Sequence, residues 1–334
     1  MVFDLAFIWA GLIAFAVLAY VILDGFDLGV GILFPLMRTE AEKDLAMNTV
    51  APVWDGNETW LVLGGGGLFA VFPLAYAVVM PALYVPIIVM LLALVFRGVA
   101  FEFRWRTKRA KVLWDLSFFG GSLVATLAQG VALGALVQGI AVEGRAYAGG
   151  NWDWLTPFSM LTGVALVAGY ALLGATWLVM KTEGPVRATA HRLSLWLGGA
   201  TLALVGLVSL ITPFLNPLYL ERWFSFPNAL FSAFVPALIL IAAFVFHKGL
   251  REGRDAWPFL SALALFVLSF VGLGISFYPY MVPPSLTIWE VAAPDESLWF
   301  LLAGALVLVP MILAYTGYAY WVFRGKVDPA TGYH

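Results

Sequence analysis

Residues 7–36 read FIWAGLIAFAVLAYVILDGFDLGVGILFPL. At 1.5 Å per residue, a helix of this length exceeds a hydrocarbon core of roughly 30 Å. The run is therefore expected to span a membrane. Its only charges are Asp24 and Asp27. A carboxylate at the bilayer centre costs about 2.5–3.5 kcal/mol on insertion scales, so acids in such runs mark function or a charged partner.

Eight similar runs follow, at roughly 57–73, 76–102, 114–140, 158–180, 192–213, 228–248, 258–278 and 299–323. Pro73, the stretch Asn151 to Pro157, Asn216-Pro217, Phe226-Pro227 and the segment Pro279 to Pro294 separate them. The expected fold class is an all-α polytopic membrane protein of nine spans. The chain is 62% hydrophobic and 11% charged, against about 25% charge in soluble domains. Net charge is −2, which gives no reason to expect nucleic acid as a partner. With no cysteine, disulfides and thiolate metal sites are excluded. Met1-Val2-Phe3-Asp4 lacks the basic region of a cleavable signal peptide, so the first run is expected to remain a span.

Charge placement supports this count. Nine spans put fifteen of the 18 basic residues on one side, from Arg38 to Lys326, and only Arg145 and Arg222 on the other. By the positive-inside rule, the N-terminus is expected outside and the C-terminus in the cytoplasm. Merging the second and third runs would break the asymmetry. Trp152, Trp154, Trp223, Trp289 and Trp299 then fall at the outer boundary, as an aromatic belt does.

Six acids lie in or beside the first four runs: Asp24, Asp27, Asp55, Glu58, Glu102 and Asp115. Asp24/Asp27 and Asp55/Glu58 are each spaced i, i+3, which puts each pair on one helix face. All six are expected in the cytoplasmic half of one bundle, with Arg97 among them. Three readings compete. Arg97 could pair with some of the acids while Asp55 and Asp115 cap helix N-termini. The acids could line a water-containing proton path from the cytoplasm. With Asn57, they could build a cation site. Histidine is scarce. His191 is expected in a loop, His247 at an inner helix end, and His334 ends the chain, so no haem ligation is expected within it. Gly64 to Gly67 lacks the Gly-Lys-Ser/Thr of a phosphate loop and reads as a helix-packing face, as does Gly198-Gly199. Residues 278–285 read as a rigid outer turn and a candidate for partner docking.

Four strings carry a family resemblance. Asp24-Gly25-Phe26-Asp27-Leu28-Gly29-Val30-Gly31 resembles the first-helix signature of subunit II of cytochrome bd-type quinol oxidases. Trp54-Asp55-Gly56-Asn57-Glu58-Thr59-Trp60-Leu61 is similar to its second signature. Phe96 to Arg104 and Phe277 to Thr287 are similar to two more, in family order. The Asn-Glu-Thr form and short loops resemble the cyanide-insensitive branch.

The resemblance implies two four-helix bundles, within residues 1–140 and 141–280, and a peripheral ninth helix within 281–334. It implies a heterodimer with subunit I, which carries the quinol site and the b- and d-type haems, with quinol and oxygen as substrates. A small single-helix accessory subunit and a structural quinone occur in some members, and both stay open here. The implied location is the cytoplasmic membrane of a bacterium or archaeon. The resemblance implies Asp55 at a cytoplasmic proton channel on the subunit interface, with Asp27 and Arg97 in the same hydrophilic region; Glu58 and Asp24 are expected along the path as well. Arg97, Trp54, Asn57 and Glu102 are expected to compensate charge or face the interface. The main rival is a proton-coupled secondary transporter, which would be expected to repeat its acids in both halves. A purely structural scaffold for the haem subunit is the third alternative.

Overall fold

The computed structural model describes residues 4–328. Helix α1, Leu5–Leu33, is opened by Asp4, whose carboxylate accepts from the Phe7 amide at 3.0 Å. A 3-10 turn at Phe34–Leu36 ends it. The short helix α2, Glu40–Asn48, lies outside the apolar runs and carries Glu40 and Glu42 in its first turn. Then follow α3 (Trp54–Val71), α4 (Pro73–Arg106), α5 (Lys111–Gln138), α6 (Pro157–Lys181), α7 (Gly184–Ile211), α8 (Pro217–Phe224), α9 (Asn228–Arg251), α10 (Ala256–Phe277) and α11 (Asp295–Val322). Two small hairpins complete the described residues: β1 (Val142–Glu143) with β2 (Ala146–Tyr147), and β3 (Tyr280–Val282) with β4 (Leu286–Thr287).

Eight helices among the described residues are long and apolar enough to cross a membrane: α1, α4, α5, α6, α7, α9, α10 and α11. Helix α3 occupies the place of the second expected span. Its first turns hold Asp55, Asn57 and Glu58, which leave it less apolar than the others. At Phe72 the backbone leaves the helical region (φ −123°, ψ 62°), and Pro73 restarts a helix at a position that needs no N–H donor. The chain reverses there, because Trp54 at the start of α3 stacks on Phe101 near the end of α4, with ring centroids 4.7 Å apart. Helix α4 bends again at Leu83, three residues before Pro86, whose ring cannot continue the hydrogen-bond ladder.

Glycine sets the closest helix contact. A Cβ on Gly29 of α1 would overlap the Tyr170 carbonyl of α6, and one on Gly174 would overlap the Gly29 backbone. The two helices touch backbone to backbone. In the Gly64 to Gly67 run, Gly64 faces Val17 and Gly67 faces Ile13, whereas Gly65 and Gly66 face open space. Half of that run therefore serves packing. Gly198 lies against Phe246 and Gly199 does not pack.

The two ends of the bundle differ in chemistry. At one end, Lys43 bonds Asp115 at 2.7 Å, Lys326 bonds Asp255 at 2.7 Å, and Lys181 donates to the Phe323 carbonyl at 2.5 Å. These contacts gather the basic loops and the end of α11. At the other end, Trp9 donates to the Leu298 carbonyl at 3.1 Å and Ala293 to the Val71 carbonyl at 2.8 Å. The core follows this division. Phe26, Phe118, Trp177 and Phe259 pack toward the basic end, and Trp9, Phe72, Ile288 and Leu298 toward the other.

Two sequence expectations change. Helix α7 begins at Gly184, well before its apolar run, so His191 lies in a helix and its Nε2 meets the Leu250 carbonyl at 3.1 Å. Asp115 is not an N-terminal cap. Helix α5 starts at Lys111, and Asp115 instead accepts from Arg104 Nε at 2.6 Å and from Lys43. His334 lies outside the described residues.

Candidate functional site

Two helices deliver three acids to a guanidinium on a third. Arg97 of α4 is fully buried. Its Nη1 lies 2.8 Å from Asp24 Oδ1 and 4.0 Å from Glu58 Oε2, and its Nη2 lies 3.9 Å from Asp27 Oδ2. Asp24 and Asp27 are fully buried on α1, and the Glu58 side chain on α3 keeps 23% exposure. The i, i+3 spacing thus does what the sequence suggests for α1, putting both carboxylates beside one cation.

Aromatic rings close the site on the α3–α4 side. The guanidinium carbon sits 6.0 Å from the Trp54 ring centre and 5.9 Å from that of Phe101. Such cation–π contacts favour the charge where water is scarce. Gly98 gives Trp54 its room, since a Cβ there would meet the ring at 3.4 Å. On the other flank, Asn57 Nδ2 donates to Asp27 Oδ2 at 2.7 Å and to the Leu23 carbonyl at 3.3 Å. The Tyr320 hydroxyl of α11 donates to Asn57 Oδ1 at 2.9 Å. The last helix is therefore keyed to the second-motif asparagine.

The polar accounting is incomplete. The Arg97–Asp24 contact has ion-pair distance but bends off the hydrogen-bond line. All three side-chain nitrogens of Arg97, both Asp24 oxygens and Asp27 Oδ1 keep unmet hydrogen-bonding capacity. Buried polar atoms are nearly always satisfied, so a cluster of exceptions is a site rather than a packing detail.

Two expected members stand apart. Asp55 lies on the exposed face of α3, in line with Thr59, Val62 and Phe69. Glu102 also faces outward; it is 66% exposed and pairs only loosely with Arg106 at 3.7 Å. It does not join the cluster, because the helix turn that points Arg97 inward points Glu102 out. Asp115 belongs to a second ionic knot around fully buried Arg104, which also contacts Asp44 and lies 3.1 Å from Glu40. The six acids thus divide into a trio around Arg97 with Glu58 partly exposed, a basic-end knot and two surface groups.

Sequence reasoning missed Tyr20, Gln129, Tyr170 and Tyr320. Tyr20 had a signal, one turn before Asp24 on the same helix face. The other three lie on helices whose apolar patterns do not mark which face meets α1.

Two of the three histidines fall among the described residues. His191 is engaged with a backbone carbonyl and His247 is exposed on α9. Among the described residues, no three His, Cys, Asp or Glu side chains gather as a metal site. A surface groove of about 420 Å³ is apolar and lined by Leu33, Phe119, Ala171 and Leu197, away from the acids.

Comparison with known proteins gives the family of the chain. The family described as cytochrome bd terminal oxidase subunit II matches residues 5–323. The cytochrome bd-I ubiquinol oxidase subunit 2 of Escherichia coli K12 is 33% identical over 360 aligned positions, covering 97% of this chain and 95% of that protein. The cytochrome bd ubiquinol oxidase subunit 2 of Bacillus subtilis is 29% identical over 332 positions, covering 96% of each. A chain from the structure of the bd oxidase of Geobacillus thermodenitrificans shares the fold, with a TM-score of 0.73 at 20% identity, covering 97% of this chain and 100% of that one. The match along the whole chain, with the motif acids gathered on one buried arginine, leads to one conclusion: this chain belongs to the cytochrome bd terminal oxidase subunit II family.

Proposed function

We propose that this chain supplies protons to a haem-bearing subunit I, within a bacterial cytoplasmic-membrane complex that oxidises quinol and reduces oxygen to water. The observation that carries the proposal is the Arg97 cluster. One guanidinium faces three carboxylates, two of them fully buried and one reaching the surface. Such a cluster is electrically neutral only while it holds protons, and burial makes neutrality favourable. It is built to accept and release protons, with Glu58 as its half-exposed member.

In this reading Asp55 gathers protons at the surface of α3. Glu58 passes them inward, and Asp27 and Asp24 carry them past Arg97. The exposed stripe of Asp55, Thr59, Val62 and Phe69 is the face that subunit I would cover. The b- and d-type haems belong to that partner, along with the quinol and oxygen chemistry.

We place the basic end in the cytoplasm, with nine crossings counting α3, the N-terminus outside and the C-terminus inside. Helices α1, α3, α4 and α5 form one four-helix set, α6, α7, α9 and α10 the other, and α11 stands beside them. The direction of every tie supports this layout. Lys43, Arg104, Lys181, Arg187 and Lys326 meet at one end, while Trp9, Trp289 and Asp4 meet at the other. A structural quinone and a single-helix accessory subunit stay outside the proposal. A secondary transporter is not supported by the relatives above, and the acid trio has no counterpart in the second helix set.

The test is oxygen consumption per haem by the purified complex carrying Asp55→Asn or Glu58→Gln. Slowed turnover with normal haem content is expected. Wild-type turnover in both variants would overturn the assignment.

A further inference from the structure

Beyond the motif acids, a polar chain crosses the bundle from α1 to α6 through two buried tyrosines and the partly exposed Gln129. The Tyr170 hydroxyl of α6 donates to Gln129 Oε1 of α5 at 3.2 Å. Gln129 Nε2 then donates to the Tyr20 hydroxyl oxygen of α1 at 2.7 Å. Tyr170 is fully buried and Tyr20 is 4% exposed. Tyr170 lies close against α1 because residue 25 is glycine; a Cβ there would fall 2.8 Å from the tyrosine ring.

The chain has a direction. An amide gives protons through nitrogen and takes them through oxygen, and a phenol has one proton to give. Gln129 occupies the Tyr20 oxygen as an acceptor, so the Tyr20 proton is left for another partner. Tyr20 sits one helical turn before Asp24, on the same face of α1. The Asp24 oxygens accept no hydrogen bond among the described residues, so the Tyr20 hydroxyl beside them is an available donor rather than a formed bond. That carboxyl is the one closest to Arg97, and both of its oxygens have capacity to spare.

We infer that Gln129 is a positioning residue for the proton chemistry of this subunit, holding the Tyr20 hydroxyl with its hydrogen turned toward Asp24. The inference rests on the proton-supply reading above. An amide between two phenols orients them without passing protons along readily, so the chain serves as a fixed donor to Asp24 rather than as a second conduit. The groups around Asp24 and Tyr20 are Arg97 on α4, Glu58 on α3, Asp27 on α1, Tyr170 on α6 and Tyr320 on α11. Of these neighbours, Tyr20 and Tyr170 are the two that Gln129 touches.

The test uses the purified heterodimer with Gln129→Met and Tyr20→Phe, singly and together. The readout is oxygen consumption per haem across pH 6 to 9. Losing the oriented hydroxyl donor beside a charged group should slow proton delivery by about ten-fold. The loss should deepen as pH rises and protons become scarce. The double variant should match the single ones, because both remove the same oriented proton. A merely structural glutamine would lower haem yield while leaving the pH profile per haem unchanged, and that result would overturn the inference. Asp55→Asn run alongside separates the two proposals. If it is silent while Gln129→Met reshapes the profile, the Asp55 route fails and the positioning role stands. The opposite pattern removes the positioning role alone.

Discussion

Replacing Arg97 by methionine removes the one cation among the described residues that faces the buried acids, while keeping much of the side-chain volume. At an effective dielectric of about 20, unit charges 2.8 Å apart attract by about 6 kcal/mol, and charges 3.9 Å apart by about 4 kcal/mol. Desolvation of fully buried groups offsets much of that. Removing one partner of a buried pair costs about 3–5 kcal/mol in measured cases, since the remaining charge stays buried and uncompensated. Arg97→Met should therefore destabilise the complex by an amount near that range. Thermal unfolding of the detergent-solubilised heterodimer, followed by haem absorbance, measures it. The same argument predicts partial rescue. Arg97→Met with Asp24→Asn should be more stable than Arg97→Met alone, since the second change removes the stranded charge. Additive destabilisation by the two changes, or no destabilisation by Arg97→Met, would refute the reasoning.

Gly29→Ala should weaken the α1–α6 contact by about 1–3 kcal/mol, because the new methyl meets backbone rather than a yielding side chain; the unfolding midpoint of the complex reports it. Arg104→Gln should loosen α2 by about 1–3 kcal/mol, since Asp44, Glu40 and Asp115 all lose their shared cation. Faster amide hydrogen exchange over residues 40–53 would show this, and unchanged exchange would speak against it. Asp255 ties α7 to the C-terminal tail. Burial opposes its charge, but hydrogen bonds from Arg187 and Lys326 hold its carboxyl below the usual carboxylate range. A depressed native value stabilises the tie above about pH 4 and releases it as pH falls through that lower value. Proteolysis of the tail should therefore stay constant from neutral pH down to about that point and rise below it.

Most helices were legible because their apolar runs match or outlast the bilayer, and proline or polar residues punctuate them. The Phe72-Pro73 reversal was legible from charge, since only a turn there keeps the basic loops together. The short helices α2 and α8 were not, because neither is apolar enough to stand out. Helix α7 extends beyond its apolar run into polar residues, so hydropathy placed His191 in a loop. At the site, spacing alone put Asp24 beside Asp27 and suggested Arg97 as their partner. It could not separate Glu58, turned inward, from Asp55, three residues earlier and turned out. That depends on where α1 lies against α3. Glu102 was grouped with the cluster by membrane depth, and only the rotation of α4 sends it outward. Tyr320 and Gln129 join from helices far along the chain, where no local pattern announces their partners.

The most direct measurement is proton uptake by the complex reconstituted in vesicles, followed with a pH dye on the side of the basic loops during oxygen reduction. The account predicts that Asp55→Asn together with Glu58→Gln slows uptake from that side and oxygen reduction in parallel, with haem content unchanged. Uptake and turnover at wild-type rates in that double variant would contradict it.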